Sequence, residues 1–372
     1  MYYRRSSLLI SMFLLIAGVA SLALMSQAQA ADGLELHGWV ANRFYGEPGS
    51  AHFQAERISL YVSKDIDENL KAYIEYYYHN WANLKTDKGS PWMLESAYVN
   101  FTDKKGNQLR IGKGRVFCFG LVPTYGNRKH SEYGLVAETF TQERSVGLQY
   151  FGSTADKKLD FGIALLNALP PSTRFSGTDQ AFFRDEPVVS HLADKGDGKN
   201  LAGSARIAVP VMAGGKLGLS YRTGKLTKAD LTFLGSKDLL DRGAHSDTNN
   251  QWGADFNYKH KSGVVAQAEY YGAKMSSLDF NGWDALLGYE PADPMGVKYY
   301  ARYGKLDLDP PAVTSSSYTW DQTQWIVSLV KPLRKGKPVW LQVEWISNDE
   351  TPPSGTSKVD NDVFFVELFT GF

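Results

Sequence analysis

Residues 69–81 read NLKAYIEYYYHNW, and apolar and polar side chains alternate along most of this stretch. In an extended chain successive side chains point to opposite faces, so the stretch is predicted to form a β-strand with one apolar and one polar face. The same alternation recurs in QWGADFNYKHK (251–261) and in GVKYYARYGKL (296–306). Almost no helical periodicity is found after residue 31, so the pattern predicts an all-β protein.

Sixteen segments of this kind follow one another along the chain. They are 34–45, 53–64, 69–79, 93–102, 107–115, 145–152, 158–167, 201–209, 216–224, 251–260, 263–274, 280–290, 297–306, 321–331, 338–347 and 362–372. Short polar turns alternate with longer connections between them. An even number of strands, turns of two length classes and ionised residues on one strand face are typical of a transmembrane antiparallel β-barrel. The sequence therefore predicts a barrel of about 16 strands in one domain, residues 31–372.

The first thirty residues have the pattern of a secretory signal peptide. Arg4 and Arg5 precede an apolar run from Leu8 to Leu24, and Ala28-Gln29-Ala30 forms a small-residue cleavage site. Residues 1–30 are therefore expected to be cleaved during export. Together with the predicted barrel, this places the protein in the outer membrane of a Gram-negative-type envelope.

Composition excludes some classes of protein. The 372 residues carry 40 basic and 40 acidic side chains, so the basic excess expected of a nucleic-acid-binding protein is absent. Cys118 is the single cysteine, and an internal disulfide is excluded. No nucleophile motif, metal-ligand motif or phosphate-binding loop is found, so the sequence predicts no enzyme activity, no metal and no cofactor.

The segment NDVFFVELFTGF (361–372) would be the last strand of the barrel. An open sheet edge leaves unpaired amides in lipid, so this strand is expected to pair with the first one. Phe372 would lie in the periplasmic aromatic girdle. It also resembles the assembly signal that the barrel-assembly machinery recognises in outer-membrane proteins.

Four segments resemble a known family when read in order. They are ERISLYVSKDIDENLKAYIEYYYHN (56–80), LESAYVNF (94–101), NQLRIGKGRVFCFGL (107–121) and ETFTQERSVGLQYFG (138–152). The order resembles the phosphate-selective porin O and P family of outer-membrane proteins over residues 33–152. The matching positions are Arg57, Glu95 with Ala97-Tyr98, Leu109-Arg110-Ile111-Gly112, Arg115, Phe119-Gly120, and Arg144 with Gly147. Cys118 stands where that family often has proline. The resemblance implies a sixteen-stranded, homotrimeric diffusion channel.

The alternation of side chains along each strand predicts which charged residues line the lumen. An Arg or Lys that faced lipid instead would destabilise the barrel by about 2–4 kcal/mol near the bilayer midplane. The predicted pore-lining residues are Arg43, Arg57, Lys71, Glu75, Arg110, Arg206, Arg222, Lys259, Lys298 and Arg302, with the further acids Asp160, Asp255, Glu269, Glu344 and Glu367. Nine basic and six acidic side chains favour anions weakly. For any single residue the alternative is a solvated wall position with no special role.

Residues 116–144 are the candidate constriction loop, which in many sixteen-stranded porins folds into the pore. Arg115 leads into it, and Arg128, Lys129 and His130 form a basic cluster within it. The cluster fits a charged constriction, and it also fits a solvated loop tip. His130 would add a group that titrates near pH 6.5.

The sequence thus predicts a passive porin for small hydrophilic solutes with a weak anion preference. Its expected partners are outer-membrane lipid, small anionic solutes, the barrel-assembly machinery and two further copies of itself. Two alternatives remain open at this point. One is a secreted β-sandwich that binds or degrades carbohydrate, and the other is an adhesive barrel with a plugged lumen.

Overall fold

The computed structural model of the protein describes residues 33–47, 50–79, 92–122, 124, 129–142, 144–167, 169, 201–241, 243 and 246–372. The predicted leader (1–30) and Arg128 of the predicted constriction loop lie outside these residues.

Sixteen antiparallel strands in the described residues form one closed barrel, and each pairs with its neighbours in sequence. The circle closes where the first strand pairs with the last, with Arg43 opposite Glu367. The strands are β1 (Leu34–Glu47), β2 (Ser50–Asp65), β3 (Leu70–His79), β4 (Trp92–Thr102), β5 (Gln108–Arg115), β6 (Arg144–Ser153), β7 (Asp160–Leu166), β8 (Ala202–Met212), β9 (Gly215–Lys225), β10 (Thr248–Lys259), β11 (Val264–Met275), β12 (Leu278–Tyr289), β13 (Lys298–Asp309), β14 (Asp321–Pro332), β15 (Val339–Thr351) and β16 (Val363–Gly371). The predicted fold is confirmed. A β-sandwich, in which two sheets pack face to face, does not have this topology.

The two faces of the barrel differ as the alternation predicts. On β3, Ile74 and Tyr76 are exposed on the outside, whereas Glu75 and Tyr77 are buried. Aromatic rings also gather on the outer face along the middle of β10 to β14. The ring pairs are Trp252–Tyr270, Trp283–Tyr303 and Tyr303–Trp325, with centroids 5.2, 5.4 and 4.8 Å apart. An apolar and aromatic outer face is the surface that a barrel presents to lipid.

Two β-bulges interrupt the alternation on β2 and β4. The register between β1 and β2 passes from Ala41–Arg57 to Asn42–Ala55, which leaves Glu56 without a partner strand position. The register between β3 and β4 skips Glu95 in the same way. A bulge re-aims the side chain of the extra residue. Glu56 and Glu95 are both buried, like the residues that follow them, although strict alternation would turn them towards lipid.

The two ends of the barrel carry different connections. Those at one end are short turns, such as 103–107 and 260–263, and this is the periplasmic end in barrels of this type. The opposite, extracellular end includes the longer connections 116–143 and 226–247. The predicted division into short turns and long connections therefore holds for most of the described connections, and the two-residue connection 276–277 at the extracellular end is an exception.

Two α-helices occur in the described residues, α1 (Leu135–Phe140) and α2 (Lys228–Ser236), with a 3₁₀ turn at Ser317–Thr319. The sequence pattern did not predict them, because they are too short to develop a helical periodicity. Both contribute to a buried apolar cluster with β11 to β13, in which Val136 and Phe140 of α1 and Leu234 of α2 join Tyr271 and Leu306. This cluster fills part of the barrel interior towards its extracellular end. In the described part of the chain, no helix has the length and apolar character needed to cross a membrane.

Candidate functional site

The connection between β5 and β6 (residues 116–143) is named the inner loop here, and its described residues, 116–122, 124 and 129–142, lie inside the barrel. Its helix α1 packs against β12 and β13, across the barrel from the two strands that the loop connects. Phe140 of α1 stacks on Tyr271 and Phe280, with ring centroids 5.2 and 5.3 Å apart. The inner loop therefore crosses the interior and narrows it, as predicted.

Phe119 and Gly120 fix the first arm of the inner loop to the wall. The Gly120 N–H donates to the Ser220 hydroxyl at 2.9 Å, and the Leu121 N–H donates to the Tyr271 hydroxyl at 3.2 Å. Gly120 has a φ of +65°, and a Cβ at this position would lie 2.4 Å from the Tyr271 hydroxyl oxygen. Only glycine fits this turn, which explains the Phe-Gly element that the sequence shows.

Two carboxylates of the opposite wall hold the second arm, one through its backbone and the other through a serine hydroxyl. Glu344 accepts the N–H of Ser131 at 2.8 Å and the N–H of Glu132 at 3.1 Å. The Ser131 hydroxyl donates to Glu367 at 2.5 Å. Carboxylates that accept backbone N–H groups form strong, charge-assisted hydrogen bonds, so this segment is fixed in register with β15 and β16.

Glu132 of the inner loop bridges two of the predicted pore-lining arginines. Its carboxylate lies 2.8 Å from Arg43 Nη1 and also pairs with Arg57. Arg43 in addition contacts Glu367 at 2.7 Å through Nε and Glu56 at 3.7 Å. The result is a buried ionic network that joins the loop to β1, β2 and β16.

Further contacts extend this attachment to both sides. Arg115 donates to the Tyr133 hydroxyl at 3.0 Å and lies 3.7 Å from Glu95, which also pairs with Arg144. Arg302 donates to the Tyr133 carbonyl oxygen. Tyr133 is thus held by cations from two different strands.

Lys129 and His130 occupy different surroundings, although they are adjacent in sequence. Lys129 pairs with Glu290 of the β12–β13 turn at 2.5 Å, and Lys259 pairs with the same carboxylate at 2.5 Å. Burial raises the pKa of Glu290, but the hydrogen bonds from the two lysines outweigh burial and lower it to about 2. His130 is buried against Ser328, and this burial lowers its pKa below the ordinary value. Burial therefore disfavours the protonated form, relative to the histidine titrating near pH 6.5 that the sequence analysis considered.

The remaining predicted wall residues lie on the inner face at separate places. Arg206 pairs with Asp255 at 2.5 Å, and Arg222 donates to Gln251 at 3.0 Å. Lys71 pairs with Glu35 at 3.0 Å towards the periplasmic end. Glu75 accepts from the Ser59 hydroxyl at 2.6 Å, and Lys298 is half-buried at the periplasmic end of β13. Arg110 lies on β5 beneath the inner loop.

The pore-lining set predicted from strand alternation omits four buried carboxylates of the interior, Glu56, Glu95, Glu132 and Asp284. Their negative charges offset the excess of basic residues in the pore lining that strand alternation alone predicts. For Glu56 and Glu95 a signal exists in the sequence, since Glu56-Arg57 and Glu95-Ser96 are adjacent polar pairs in otherwise alternating strands. Strict alternation would turn one member of such a pair towards lipid. A bulge avoids this, because it allows both side chains to face the interior. Within the described ranges, no group of three or more His, Cys, Asp and Glu side chains is placed to hold a metal ion.

Comparisons with known proteins show a fold shared with outer-membrane porins. OmpF of Salmonella typhi is similar with a TM-score of 0.59 at 15% identity, over 91% of this chain and 97% of that chain. The anion-selective porin of Comamonas acidovorans gives 0.56 at 11% identity, over 91% and 99%. The trimer form of Vibrio cholerae OmpT gives 0.53 at 12% identity, also over 91% and 99%. The chain therefore has the fold of an outer-membrane barrel, which confirms the predicted localisation.

The sequence searches add no family assignment. No protein-family model matches the chain, and no curated protein matches it. The resemblance of residues 33–152 to the phosphate-selective porin O and P family stays a hypothesis.

Proposed function

We propose that this protein is a passive diffusion channel of the outer membrane for small hydrophilic solutes, with a weak preference for anions. One observation carries the proposal: the inner loop crosses the barrel and is attached to both walls, while charged and polar side chains cover the inner face around it. A barrel built only for adhesion has no need of an ordered loop that narrows an ionised lumen. The role is transport without a chemical step.

The anion preference is supported by the inner-wall cations that retain exposure. Lys259 and Lys71 keep 64% and 41% of their side chains accessible near the periplasmic end, although each has an acidic partner. Arg110 has no carboxylate partner among the described residues. Exposed or unpaired cations along a pore raise the local concentration of anions. The carboxylates that partner the other arginines keep this preference weak.

The proposed assembly is a homotrimer in outer-membrane lipid, inserted by the barrel-assembly machinery. The apolar outer face supports contact with lipid and with further copies of the chain, and OmpT of Vibrio cholerae has a trimer form. Phe372, at the end of the strand that closes the barrel, is the proposed assembly signal.

Planar lipid bilayers provide the direct test. Purified protein without residues 1–30 is expected to insert and to conduct in discrete steps in potassium chloride. Folded protein that inserts and never conducts would contradict the channel, and it would favour an adhesive barrel with a closed lumen.

Selectivity is tested with the double variant Arg128→Glu/Lys129→Glu in a salt gradient. Lys129 lines a cavity of about 190 Å³ together with His130, Glu132 and Arg302. Charges closer than the Debye length, about 8 Å at physiological salt, act together. The reversal potential is therefore expected to move towards cations. Lys358→Glu, at an exposed lysine of the β15–β16 connection, is the control and should leave it unchanged.

A further inference from the structure

Arg110 of β5 is held in the inner wall by aromatic rings. Its side chain lies over the ring of Tyr98, with 4.0 Å between the guanidinium carbon and the ring centroid. The rings of Phe117 and Phe151 lie 5.1 and 5.3 Å from the same carbon. Only 8% of the residue is exposed. Because aromatic rings cover the faces of the guanidinium, a ligand can bind only at its edge, where the N–H donors form a planar fork.

No acceptor meets that fork among the described residues. Arg110 forms no ion pair and no hydrogen bond there, and its Nε is sealed from solvent without a partner. The other predicted pore-lining arginines differ, since each has an oxygen partner. The pairs are Arg43–Glu367, Arg57–Glu132, Arg206–Asp255, Arg222–Gln251 and Arg302 with the Tyr133 carbonyl. A buried cation without a counter-charge is costly, so the Arg110 site favours an anion from outside the chain.

Asn100 places an unpaired acceptor beside this unpaired donor. Asn100 of β4 is the direct cross-strand partner of Arg110. Its side-chain amide donates to the Thr102 hydroxyl at 3.2 Å, while its Oδ1 is buried without a donor. Residues paired directly across two antiparallel strands have Cα atoms about 5 Å apart. A solute with an anionic group and a hydroxyl on neighbouring carbons can therefore meet both residues at once.

The space in front of these two residues is a cavity of about 370 Å³. Gln108, Tyr73 and Lys71 also line it. Tyr73 and Tyr98 stack on each other, with ring centroids 4.9 Å apart. Because the faces of these two rings contact each other, the cavity presents ring edges and polar groups to a solute instead of flat ring surfaces for stacking. The volume accommodates a solute several times larger than an inorganic anion.

Arg110 is the lining residue that attracts a negative charge. Lys71, the other Lys or Arg of the lining, pairs with Glu35, a carboxylate of the same lining, at 3.0 Å and with the exposed Asp65 at 3.5 Å. Arg110 is thus the one lining cation without a carboxylate partner among the described residues. One planar fork and one uncompensated charge match a monocarboxylate.

We infer that Arg110 and Asn100 form a binding site for a hydroxycarboxylate on the periplasmic side of the inner loop. The carboxylate binds bidentately to the Arg110 guanidinium, and a hydroxyl of the same solute donates to Asn100 Oδ1. The inference rests on the proposed channel, because the solute reaches the cavity through the lumen. It names sugar acids and related hydroxy acids as the solute class that this channel retains longest.

The experiment measures how solutes block the chloride current of the full protein in planar bilayers. Gluconate, a hydroxycarboxylate, is compared with glucose, which lacks the charge, with acetate, which lacks the hydroxyls, and with inorganic phosphate. Gluconate added on the periplasmic side is expected to block at about one tenth of the concentration that acetate requires, the factor that one neutral hydrogen bond to the buried Asn100 Oδ1 provides. Glucose should not block in the same range.

Variants separate this site from the general charge of the pore. Arg110→Lys keeps the charge and loses the fork, so the reversal potential should stay while gluconate binds about tenfold more weakly. Asn100→Leu should reduce the block by gluconate to that by acetate. Arg334→Lys, the same exchange in the exposed β14–β15 turn, is the matched control with unchanged block.

Three outcomes would overturn the inference while the channel itself still conducts. They are equal block by gluconate and glucose in the wild-type protein, equal or stronger block by phosphate, and unchanged gluconate block in Arg110→Lys. The first two outcomes are measured on the wild-type protein, so they test the inference even if a substitution prevents folding. Absence of conductance steps in every preparation would contradict the proposed channel instead.

Discussion

Arg43 of β1 and Glu132 of the inner loop lie 2.8 Å apart, and neither side chain is more than 5% exposed. This ion pair joins the strand that closes the barrel to the loop that crosses it. Breaking a buried pair by removal of one partner leaves an uncompensated charge, which costs about 3–5 kcal/mol. The attachment of the loop therefore depends on a small number of interior carboxylates.

Glu132→Gln is expected to loosen the inner loop while the barrel stays closed. The amide keeps the shape of the carboxylate but leaves Arg43 and Arg57 with less negative charge, so the attachment should weaken by about 3 kcal/mol. Single-channel recordings should show a noisier and larger conductance. Glu68→Gln, in the exposed β2–β3 turn, is the control. A recording identical to wild type would show that the backbone bonds to Glu344 hold the loop alone.

The Glu290 carboxylate is expected to stabilise the folded protein by an amount that decreases at acidic pH. Its pKa of about 2 lies below the ordinary 4.5, so its stabilisation is complete above pH 4.5 and is lost as the pH falls towards 2. Thermal unfolding in detergent should show the wild type losing its advantage over Glu290→Gln within that window. Lys129→Gln removes one donor, and the loss should then be smaller. A difference that stays constant down to pH 2 would contradict the lysine contacts.

Phe372→Ala is expected to lower the amount of assembled barrel in cells. The Phe372 N–H and carbonyl pair with Gly38 of β1 at 2.9 and 3.0 Å, and these backbone bonds survive in the variant. Protein refolded in detergent should therefore unfold at nearly the wild-type temperature, because only an exposed ring is lost. Phe364→Ala, at an exposed aromatic residue near the other end of β16, is the control and should assemble normally. Equal outer-membrane levels for both variants would remove the case for an assembly signal at Phe372.

Cys118 reports whether the inner loop lies against the wall. A Cβ at Gly162 of β7 would lie 3.0 Å from Cys118 Sγ and 3.3 Å from Cys118 Cα. Burial raises the pKa of the Cys118 thiol to about 12, so native protein should react slowly with a maleimide at neutral pH. Gly162→Val should displace the loop and speed the reaction. Gly203→Val, where no atom lies within 4 Å of the added carbon, should not. Rapid labelling of the wild type would place the loop elsewhere.

The sequence by itself determined the barrel, its strand number and the facing of most side chains. Alternation with period two is a local property, and lipid on one side and water on the other enforce it at every strand. For this reason Ile74 and Glu75 were assigned to opposite faces without any structure. The strand ends were less well determined: β2 was predicted at 53–64 and spans Ser50–Asp65.

Only the tertiary structure decided what the interior charges do. Whether Glu56 and Glu95 face lipid or lumen depends on the register of the neighbouring strands, which a single strand does not encode. The partners of Glu132, and the absence of an acceptor for Arg110 among the described residues, depend on where a loop lands across the barrel. Arg43 and Glu367 are 324 positions apart in the chain yet share a hydrogen bond. Such contacts arise when the sheet closes, because closure brings the first and last strands together and fixes the walls to which the inner loop attaches.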